Sequence, residues 1–470
     1  MQEESIFCKY CKAKLTVELE KEEIEKGYHN SCHEIMMKEK ALSIMQVINS
    51  FSILTNGQFK ILNITREHDY GGEFDYDFVS NLEKNTLYLK QKPTITFEFL
   101  YLSNIDKIPF ELTFFTDLKV LKITNNYSII LNDYLGLLQN IQALDIEYRD
   151  GITGLEFISE LKHLTYLRLA GPLPKNFIFS DSFRHLKNMK YLELESFDSP
   201  NLIEILENYS QLKKLSLNIG IIKEPFVKLE SLEEVKFSNV KFSAGFIHLF
   251  ESQNLKRIIF LNCPIESMPD SFSENSILEN LLIINCSITQ LPPSLSLVKK
   301  LNYLELKSTN ITSFPYELKK LQSIRIEKSY ITEINSTIEQ CSNLKGITII
   351  SSPIKKIDKK ISSLKNLKAL TLSGTEITRL PDSMGTLDSL EVLDLSNNKI
   401  KAVPGVISKL GNLKTLILDK NVELSELPDE LLNLSNLERL SVKLIPLSSE
   451  LKKKLTKLAE NNPTLNIVYY

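Results

Sequence analysis

The amino-acid pattern of this chain repeats at a nearly fixed interval, and that interval limits the folds the chain can adopt. The aliphatic, polar and proline positions that follow Leu367 recur at the same offsets after Leu390, 23 residues later. The first aliphatic position of each unit recurs, mostly at steps of 23, at Leu118, Ile141, Leu164, Met189, Leu212, Leu232, Leu255, Leu278, Leu301, Leu321, Leu344, Leu367, Leu390, Leu413 and Leu437. A repeat of this length predicts a solenoid, in which each unit contacts only its neighbours and the stack presents one extended surface.

The core of each unit follows the pattern L-x-x-L-x-L-x-x-N-x-L, in which other aliphatic residues often replace leucine. Alternate side chains of a strand point to opposite faces, so we expect Leu393 and Leu395 to point into the core and Asp394 to point outward. From about Phe97 to the C-terminus, the pattern resembles that of leucine-rich-repeat proteins. The resemblance implies an α/β solenoid, or horseshoe, with a parallel sheet on its concave side and helical or 3₁₀ returns on its convex side.

The second half of each unit predicts a short helical return, because its aliphatic residues recur every three positions. An apolar residue followed by proline opens many of these segments, as in Leu380-Pro381 and Val403-Pro404. Proline fixes φ and suits the start of a short helix. This form resembles the intracellular subgroup of leucine-rich-repeat proteins, which carries leucine-proline pairs and is found in small-GTPase signalling.

The ninth position of the pattern needs a buried polar side chain that can bond the backbone of the turn. We expect Asn126, Asn398, Asn421, Thr309, Ser329, Ser352 and Thr375 to fill this position. Cys263 and Cys286 fall at the same position in adjacent units. We interpret both cysteines as small buried residues rather than catalytic or redox groups.

Two pairs of potential metal ligands lie near the N-terminus: Cys8 with Cys11, and His29 with Cys32. This spacing predicts one tetrahedral zinc site whose four ligands all come from the protein, which makes the ion structural rather than catalytic. His33 is an alternative fourth ligand, and a chance occurrence of two pairs in a disordered tail is the alternative to a metal site. The run resembles the first zinc module of a LIM domain, although the second C-x-x-C pair of that family does not follow.

Both ends of a solenoid need covering, because an end unit lacks a neighbour on one side. The spacing of Leu447, Leu451, Leu455 and Leu458 predicts an amphipathic capping helix, with a lysine-rich helix on a membrane surface as the alternative. We therefore predict a zinc-binding module (1–33), a helical and irregular N-terminal cap (34–96), the repeats (97–446) and a C-terminal cap (447–470).

The outward positions of two neighbouring strands are aliphatic, whereas those of most units are polar. The predicted apolar patch consists of Ile259, Leu261, Leu282 and Ile284. Its predicted rim consists of Tyr303, Lys307 and Arg325. Neighbouring strands lie about 4.8 Å apart, so the four side chains would be contiguous, and an apolar patch with a polar rim is typical of a protein contact site. The alternative is a local slip in register, or coverage by a loop, that buries the four side chains.

A second candidate surface lies on three consecutive strands nearer the N-terminus. It consists of Asp145, Glu147, Tyr166, Arg168, Tyr191, Glu193 and Glu195. Tyrosine and arginine are enriched among residues that dominate binding energy, so this surface is a candidate contact for a basic partner. A charged face that is simply solvated is the alternative.

Composition and motifs favour a binding protein over an enzyme. The net charge of −3 gives no general attraction to nucleic acid or membranes, and no apolar run reaches the roughly 20 residues that span a bilayer. The sequence contains no phosphate-binding loop, dinucleotide fingerprint, H-E-x-x-H or G-x-S-x-G motif. A secretory signal and cysteine-rich caps are not visible, so we expect a cytoplasmic protein.

These observations predict a non-catalytic scaffold or recognition protein that binds a protein partner on the concave face of its repeats. The alternative is a substrate-recognition or regulatory subunit of a multi-protein enzyme, in ubiquitin transfer or small-GTPase signalling. The sequence does not indicate the oligomeric state.

Overall fold

A computed structural model describes residues 60–62, 99–103, 118–172, 177–197, 199–315 and 317–469, together with positions 105, 107, 108 and 112. The predicted zinc ligands Cys8, Cys11, His29 and Cys32 lie outside the described residues, as does the helix predicted to follow them. The chain divides into two compact units, unit 1 (residues 1–199) and unit 2 (residues 200–470).

Unit 1 is built on a parallel sheet. Its strands are β1 (Lys60–Leu62), β2 (Phe99–Ser103), β3 (Val120–Thr124), β4 (Ile129–Ile130), β5 (Ala143–Glu147), β6 (Ile152–Thr153), β7 (Tyr166–Ala170) and β8 (Tyr191–Phe197). β2, β3, β5, β7 and β8 pair in that order in parallel, whereas β1 joins β2 antiparallel. β4 and β6 form a separate two-stranded sheet. The helix α1 (Asp133–Gly136) and the 3₁₀ helices Leu155–Glu160 and Asp181–His185 lie in the returning segments.

Unit 2 continues the same plan. Its strands are β9 (Lys214–Ile219), β10 (Ile221–Ile222), β11 (Glu234–Ser238), β12 (Lys241–Phe242), β13 (Arg257–Leu261), β14 (Asn280–Cys286), β15 (Tyr303–Thr309), β16 (Ser323–Glu327), β17 (Glu333–Ile334), β18 (Gly346–Ile350), β19 (Lys356–Ile357), β20 (Ala369–Ser373), β21 (Val392–Asp394), β22 (Thr415–Ile417), β23 (Arg439–Ser441) and β24 (Asn466–Val468). All except β10, β12, β17 and β19 pair in chain order in one parallel sheet. Those four form two small parallel pairs, β10 with β12 and β17 with β19.

The sheet strands begin where the repeat pattern predicts them. All fifteen first aliphatic positions lie in the described residues, and each precedes a sheet strand by two residues. Leu390 precedes β21 in this way, and it is fully buried together with Leu393 and Leu395. Burial of one such side chain stabilises the fold by roughly 1.5–3 kcal/mol. The predicted leucine-rich-repeat solenoid with a parallel sheet is therefore confirmed.

The returning segments of unit 2 are mostly short 3₁₀ helices. They comprise Ile247–Glu251, Pro293–Leu297, Ser336–Gln340, Lys359–Ser363, Asp382–Thr386, Gly405–Lys409 and Asp429–Asn433, with one α-helical segment, α2 (Leu202–Leu206). Pro381, Pro404 and Pro428 occupy the position just before the helix, so proline presets the entry of the chain. In two other units, Asn335 and Asp358 cap the helix by accepting a hydrogen bond from the backbone N–H two residues further on.

In unit 2, the residue directly before the ninth position of the repeat pattern has a left-handed backbone conformation. In the described part of that unit, positive φ at this position occurs in Asn239, Asn262, Asn285, Ser308, Lys328, Ser351, Gly374, Asn397, Lys420 and Leu444. The side chain that follows points inward. Asn398 Nδ2, for example, donates to Leu395 O at 2.9 Å and to Leu372 O of the preceding repeat at 2.6 Å. Cys263 and Cys286 fill the same position and are buried, as predicted.

The first turn of the pattern differs from its prediction. The buried asparagine there is Asn125, whose Nδ2 donates to Ile105 O at 2.7 Å and to Ser128 O at 2.9 Å, whereas Asn126 is exposed. The prediction of Asn126 is wrong because the left-handed residue is missing from this turn. Neither Thr124 nor Asn125 has a positive φ, so the inward position comes one residue earlier.

The C-terminal helix α3 (Ser449–Asn461) covers the last repeats of unit 2. Leu451, Leu455 and Leu458 are buried on one side of it. On the same helix, Lys454 Nζ donates to Leu427 O at 2.8 Å, which ties α3 to the last returning segment. None of the helices within the described ranges is long and apolar enough to cross a membrane.

Candidate functional site

The four aliphatic residues of the predicted patch lie on the outward face of β13 and β14, opposite the core. Ile258, Phe260, Leu281 and Ile283 alternate with them along the strands and are fully buried. Ile259, Leu261, Leu282 and Ile284 are instead partly exposed. The strands therefore keep the register that the sequence pattern predicts.

The four side chains form one block, called the apolar patch below. Ile259 pairs in register with Leu282, and Leu261 pairs with Ile284. Strand geometry places the members of each pair about 4.8 Å apart and the two pairs about 6.6 Å apart along the strands. A hydrogen bond of 2.9 Å from Asn285 Nδ2 to Asn262 Oδ1, immediately beyond Leu261 and Ile284, borders the patch at the carboxyl end of both strands.

A network of tyrosine and paired charges borders the patch on β15 and β16. Tyr303 Oη donates to Glu305 Oε2 at 2.9 Å, and Arg325 Nη2 donates to Glu327 Oε2 at 2.9 Å. Lys307 Nζ lies 3.1 Å from Glu327 Oε1, and Arg325 Nε lies 3.7 Å from Glu305 Oε1. Each acid of this rim thus meets a base, so the network carries no net charge. The predicted rim residues Tyr303, Lys307 and Arg325 all belong to it.

Two groups of the rim, Tyr303 and Glu327, have shifted pKa values. Burial, assisted by the hydrogen bond to Glu305 and by its charge, raises the pKa of Tyr303 to about 12. Burial alone would raise the pKa of Glu327, but the hydrogen bonds from Arg325 and Lys307 outweigh it and lower that pKa. At neutral pH, Tyr303 is therefore a neutral phenol and Glu327 is a carboxylate.

The second predicted surface is organised around one arginine on β7. Arg168 Nη1 lies 3.1 Å from Asp145 Oδ1 and 3.4 Å from Glu147 Oε2 on β5, and Nη2 lies 3.1 Å from Glu195 Oε1 on β8. Glu193 Oε1 is 3.9 Å from its Nε. Burial alone would lower the pKa of Arg168, but its hydrogen bonds to Asp145 and Glu195 and their charges raise it.

The tyrosines of this Arg168 cluster lie on adjacent strands. Tyr166 on β7 and Tyr191 on β8 have ring centroids 6.3 Å apart. Burial and the charges of Asp145 and Glu193 raise the pKa of Tyr166 to about 12, although Arg168 lowers it. The cluster is thus a cross-strand network in which the arginine is already occupied by carboxylates, and Arg168 is not offered to a partner in this arrangement.

Glu305 and Glu327 were not predicted to take part in either surface, and the structure makes them central to the rim. A sequence signal for them exists in the register of neighbouring units. Glu305 pairs in register with Arg325, and Lys307 pairs with Glu327, so opposite charges face each other across β15 and β16.

Among the residues that the structure describes, no group of three or more histidine, cysteine or acidic side chains could hold a metal ion. Cys341 is fully buried, and burial raises the pKa of its thiol. The histidines outside the N-terminal region, His163, His185 and His248, lie in different returning segments.

Comparisons with known proteins agree with this architecture. Residues 352–461 match a family model described as a leucine-rich repeat region. A search of curated proteins found no match. Among solved structures, the chain is similar to a leucine-rich-repeat protein of Leptospira interrogans, with 24% identity and a TM-score of 0.66 over 78% of this chain and 93% of that chain.

Two further solved structures are similar at lower identity. The functional domain of InlJ from Listeria monocytogenes, described as including a cysteine ladder, has 16% identity and a TM-score of 0.51 over 74% of each chain. A chain of the Toll–Spatzle complex of Drosophila has 17% identity and a TM-score of 0.62 over 79% of this chain and 54% of that chain. These similarities show that the chain has the leucine-rich-repeat fold.

Proposed function

We propose that this chain is a non-catalytic recognition protein that binds a protein partner on the outward face of its parallel sheet. The observation that carries the proposal is the apolar patch of Ile259, Leu261, Leu282 and Ile284, which is partly exposed and bordered by polar groups. Such a patch with a polar rim is the usual anatomy of a protein contact surface.

The fold itself does not require aliphatic side chains at these positions. On β20 and β21, the places equivalent to Leu282 are occupied by Thr371 and Asp394, which pair in register with each other in the same sheet. Leaving aliphatic surface in contact with water costs roughly 25 cal/mol per Å² of free energy relative to burying it. A partner that covers the patch recovers this free energy, which supports binding as the reason for the apolar residues.

The experiment compares one outward position of the patch with one outward control. Leu282→Asp should weaken binding of a partner by at least about tenfold, because it places a charge in the centre of an apolar contact, which costs more than about 1.4 kcal/mol. Its free energy of unfolding should fall by less than about 1 kcal/mol, since the position is partly solvated. Affinity is measured by isothermal titration with a partner recovered by affinity purification, and stability by chemical unfolding.

Thr371→Asp is the matched control, because it introduces the same charge at the equivalent outward position of β20. It should leave binding unchanged. If a partner binds the Leu282→Asp and Thr371→Asp variants equally well, the apolar patch is not its binding site.

We propose in addition that Cys8, Cys11, His29 and Cys32 hold one structural zinc ion and that the protein is cytoplasmic. The spacing of the four potential ligands supports the first proposal. The leucine-proline pairs of the returning segments, which resemble those of intracellular leucine-rich-repeat proteins, support the second. A role as the recognition subunit of a multi-protein enzyme would use the same outward face, and co-purification with a ligase or a GTPase would support it.

A further inference from the structure

The charges around the apolar patch are unevenly paired. On the side of β15 and β16, Lys307 pairs with Glu327, and Arg325 pairs with both Glu305 and Glu327. On the side of β11 and within β13, Lys236 and Arg257 have no carboxylate within ion-pair distance in the described part of the chain. One border of the patch is therefore neutral. On the opposite border, Glu234 pairs in register with Arg257, but its carboxylate lies 3.7 Å from Lys214 Nζ, so that border keeps an excess of positive charge.

Both cations lie beside the same corner of the patch. Lys236 pairs in register with Ile259, so the two lie side by side on adjacent strands. Arg257 lies two residues before Ile259 on the same strand, which places it on the same outward face. We call Lys236 and Arg257 the positive corner.

Arg257 is exposed, and its charge influences Tyr303 on the other side of the patch. Burial is the largest influence on Tyr303 and raises its pKa, whereas Arg257 is one of two cations that lower it. Tyr303 is two strands away from Arg257, with Asn280 between them in register. The guanidinium therefore acts on the patch and its rim rather than on the returning side of the repeat.

We propose that the apolar patch together with the positive corner binds a partner segment that presents adjacent aliphatic or aromatic side chains next to a carboxylate. The apolar side chains of the segment cover the four aliphatic residues, and the carboxylate pairs with Lys236 and Arg257. A basic segment of the same shape is disfavoured, because its cations would meet an excess of positive charge at the positive corner. The neutral border of β15 and β16 attracts neither sign. This inference rests on the proposed function and adds to it the chemistry of the partner.

The test uses two fluorescein-labelled peptides as probes. One repeats Asp-Leu-Leu four times, and the other repeats Lys-Leu-Leu four times. With the full-length protein, the acidic peptide should bind roughly tenfold more tightly than the basic one at low ionic strength, because each exposed ion pair contributes up to about 1 kcal/mol. The difference should shrink at about 0.15 M salt, where exposed charges are screened. Fluorescence anisotropy gives both affinities.

Charge reversal at the positive corner is the decisive variant. Lys236→Glu combined with Arg257→Glu should weaken the acidic peptide and strengthen the basic one, each by roughly tenfold. The matched control combines Lys320→Glu with Lys356→Glu, which changes the net charge equally at two exposed lysines outside the outward face. The control should leave the preference for the acidic peptide unchanged.

The outcomes separate this inference from the proposed function. If both peptides bind with equal affinity and Leu282→Asp abolishes both, the patch binds partners but the inference is overturned. If Leu282→Asp leaves binding of the acidic peptide intact, docking on the patch itself is refuted. Failure of the acidic peptide to bind the native protein, or an equal effect of the two charge reversals, also overturns the inference.

Discussion

At the scale of single residues, the fold depends on polar side chains that reach inward from the turns. Asn398 and Asn421 each donate from Nδ2 to a carbonyl of their own repeat and to a carbonyl of the preceding one. A buried backbone carbonyl that loses its partner costs about 1–3 kcal/mol, so these amides hold neighbouring repeats together. Cys263 and Cys286 make only weak contacts from Sγ to the corresponding carbonyls, at 3.5 and 3.8 Å.

The adjacent asparagines of the first turn provide a direct test of this role. Asn125→Ala should lower the free energy of unfolding by about 2–3 kcal/mol, because the buried carbonyl of Ile105 and the carbonyl of Ser128 lose their donor. Asn126→Ala should cost less than about 1 kcal/mol, since that side chain is exposed. Chemical unfolding of both variants measures the difference. Equal losses would show that the turn does not depend on the inward amide.

At the scale of elements, charges of opposite sign connect neighbouring strands. Glu233 lies between Lys213 and Lys256, and Glu391 lies between Lys368 and Lys414, at the entry of successive strands. These pairs are exposed, and each contributes little on its own. The Arg168 cluster differs, because one half-buried guanidinium meets carboxylates from two flanking strands.

Removal of the Arg168 guanidinium should destabilise unit 1 more than removal of an exposed arginine side chain. Arg168→Met should lower the free energy of unfolding by about 2–4 kcal/mol, because Asp145, Glu147, Glu193 and Glu195 then repel one another without a counter-charge. The loss should shrink at about 1 M salt, which screens the repulsion.

Arg149→Met is the control for this substitution, since Arg149 is an exposed arginine of the same unit. Chemical unfolding at two salt concentrations compares the variants. A loss for Arg168→Met that is no larger than that of the control would show that the cluster is only a solvated charged face.

The elements differ in how far the sequence predicts them. The start of every repeat strand follows from buried leucines at fixed offsets, and the outward orientation of Leu282 follows from alternation along a strand. The inward position of Asn125 could not be predicted from the sequence. The leucines that precede the turn have the same spacing whether or not the turn contains a left-handed residue, so they do not show which asparagine points inward. The pairing of Glu305 and Glu327 depends on side-chain conformations across the rim, which a repeat pattern does not specify.

At the scale of the whole molecule, each repeat is stabilised by its neighbours rather than by a central core. Parallel pairing in register, such as Leu370 with Leu393 and Leu393 with Leu416, passes from one repeat to the next within unit 2. An end without a neighbour needs a cover, which α3 provides at the C-terminal end of unit 2 through Leu451, Leu455 and Leu458. The predicted zinc module belongs to the other end of the sequence.

The zinc proposal concerns the intact chain and predicts its metal content. The purified full-length protein should contain about one zinc ion per chain, because the four ligand positions suit one tetrahedral site. Cys11→Ser should lose most of this zinc, whereas Cys341→Ala, which removes a cysteine far from the four ligands in sequence, should retain it. Mass spectrometric metal analysis measures the content. Full zinc in Cys11→Ser would refute the ligand assignment.

The alternation of side chains along β13 and β14 separates two kinds of evolutionary change. Substitutions at Leu281 and Ile283 alter the buried aliphatic core that neighbouring repeats share. Most of them destabilise the fold and are therefore lost during evolution. Substitutions at Leu282 and Ile284 alter only what touches the solvent-facing wall. The outward surface of the sheet can therefore change one strand position at a time while the scaffold beneath it persists.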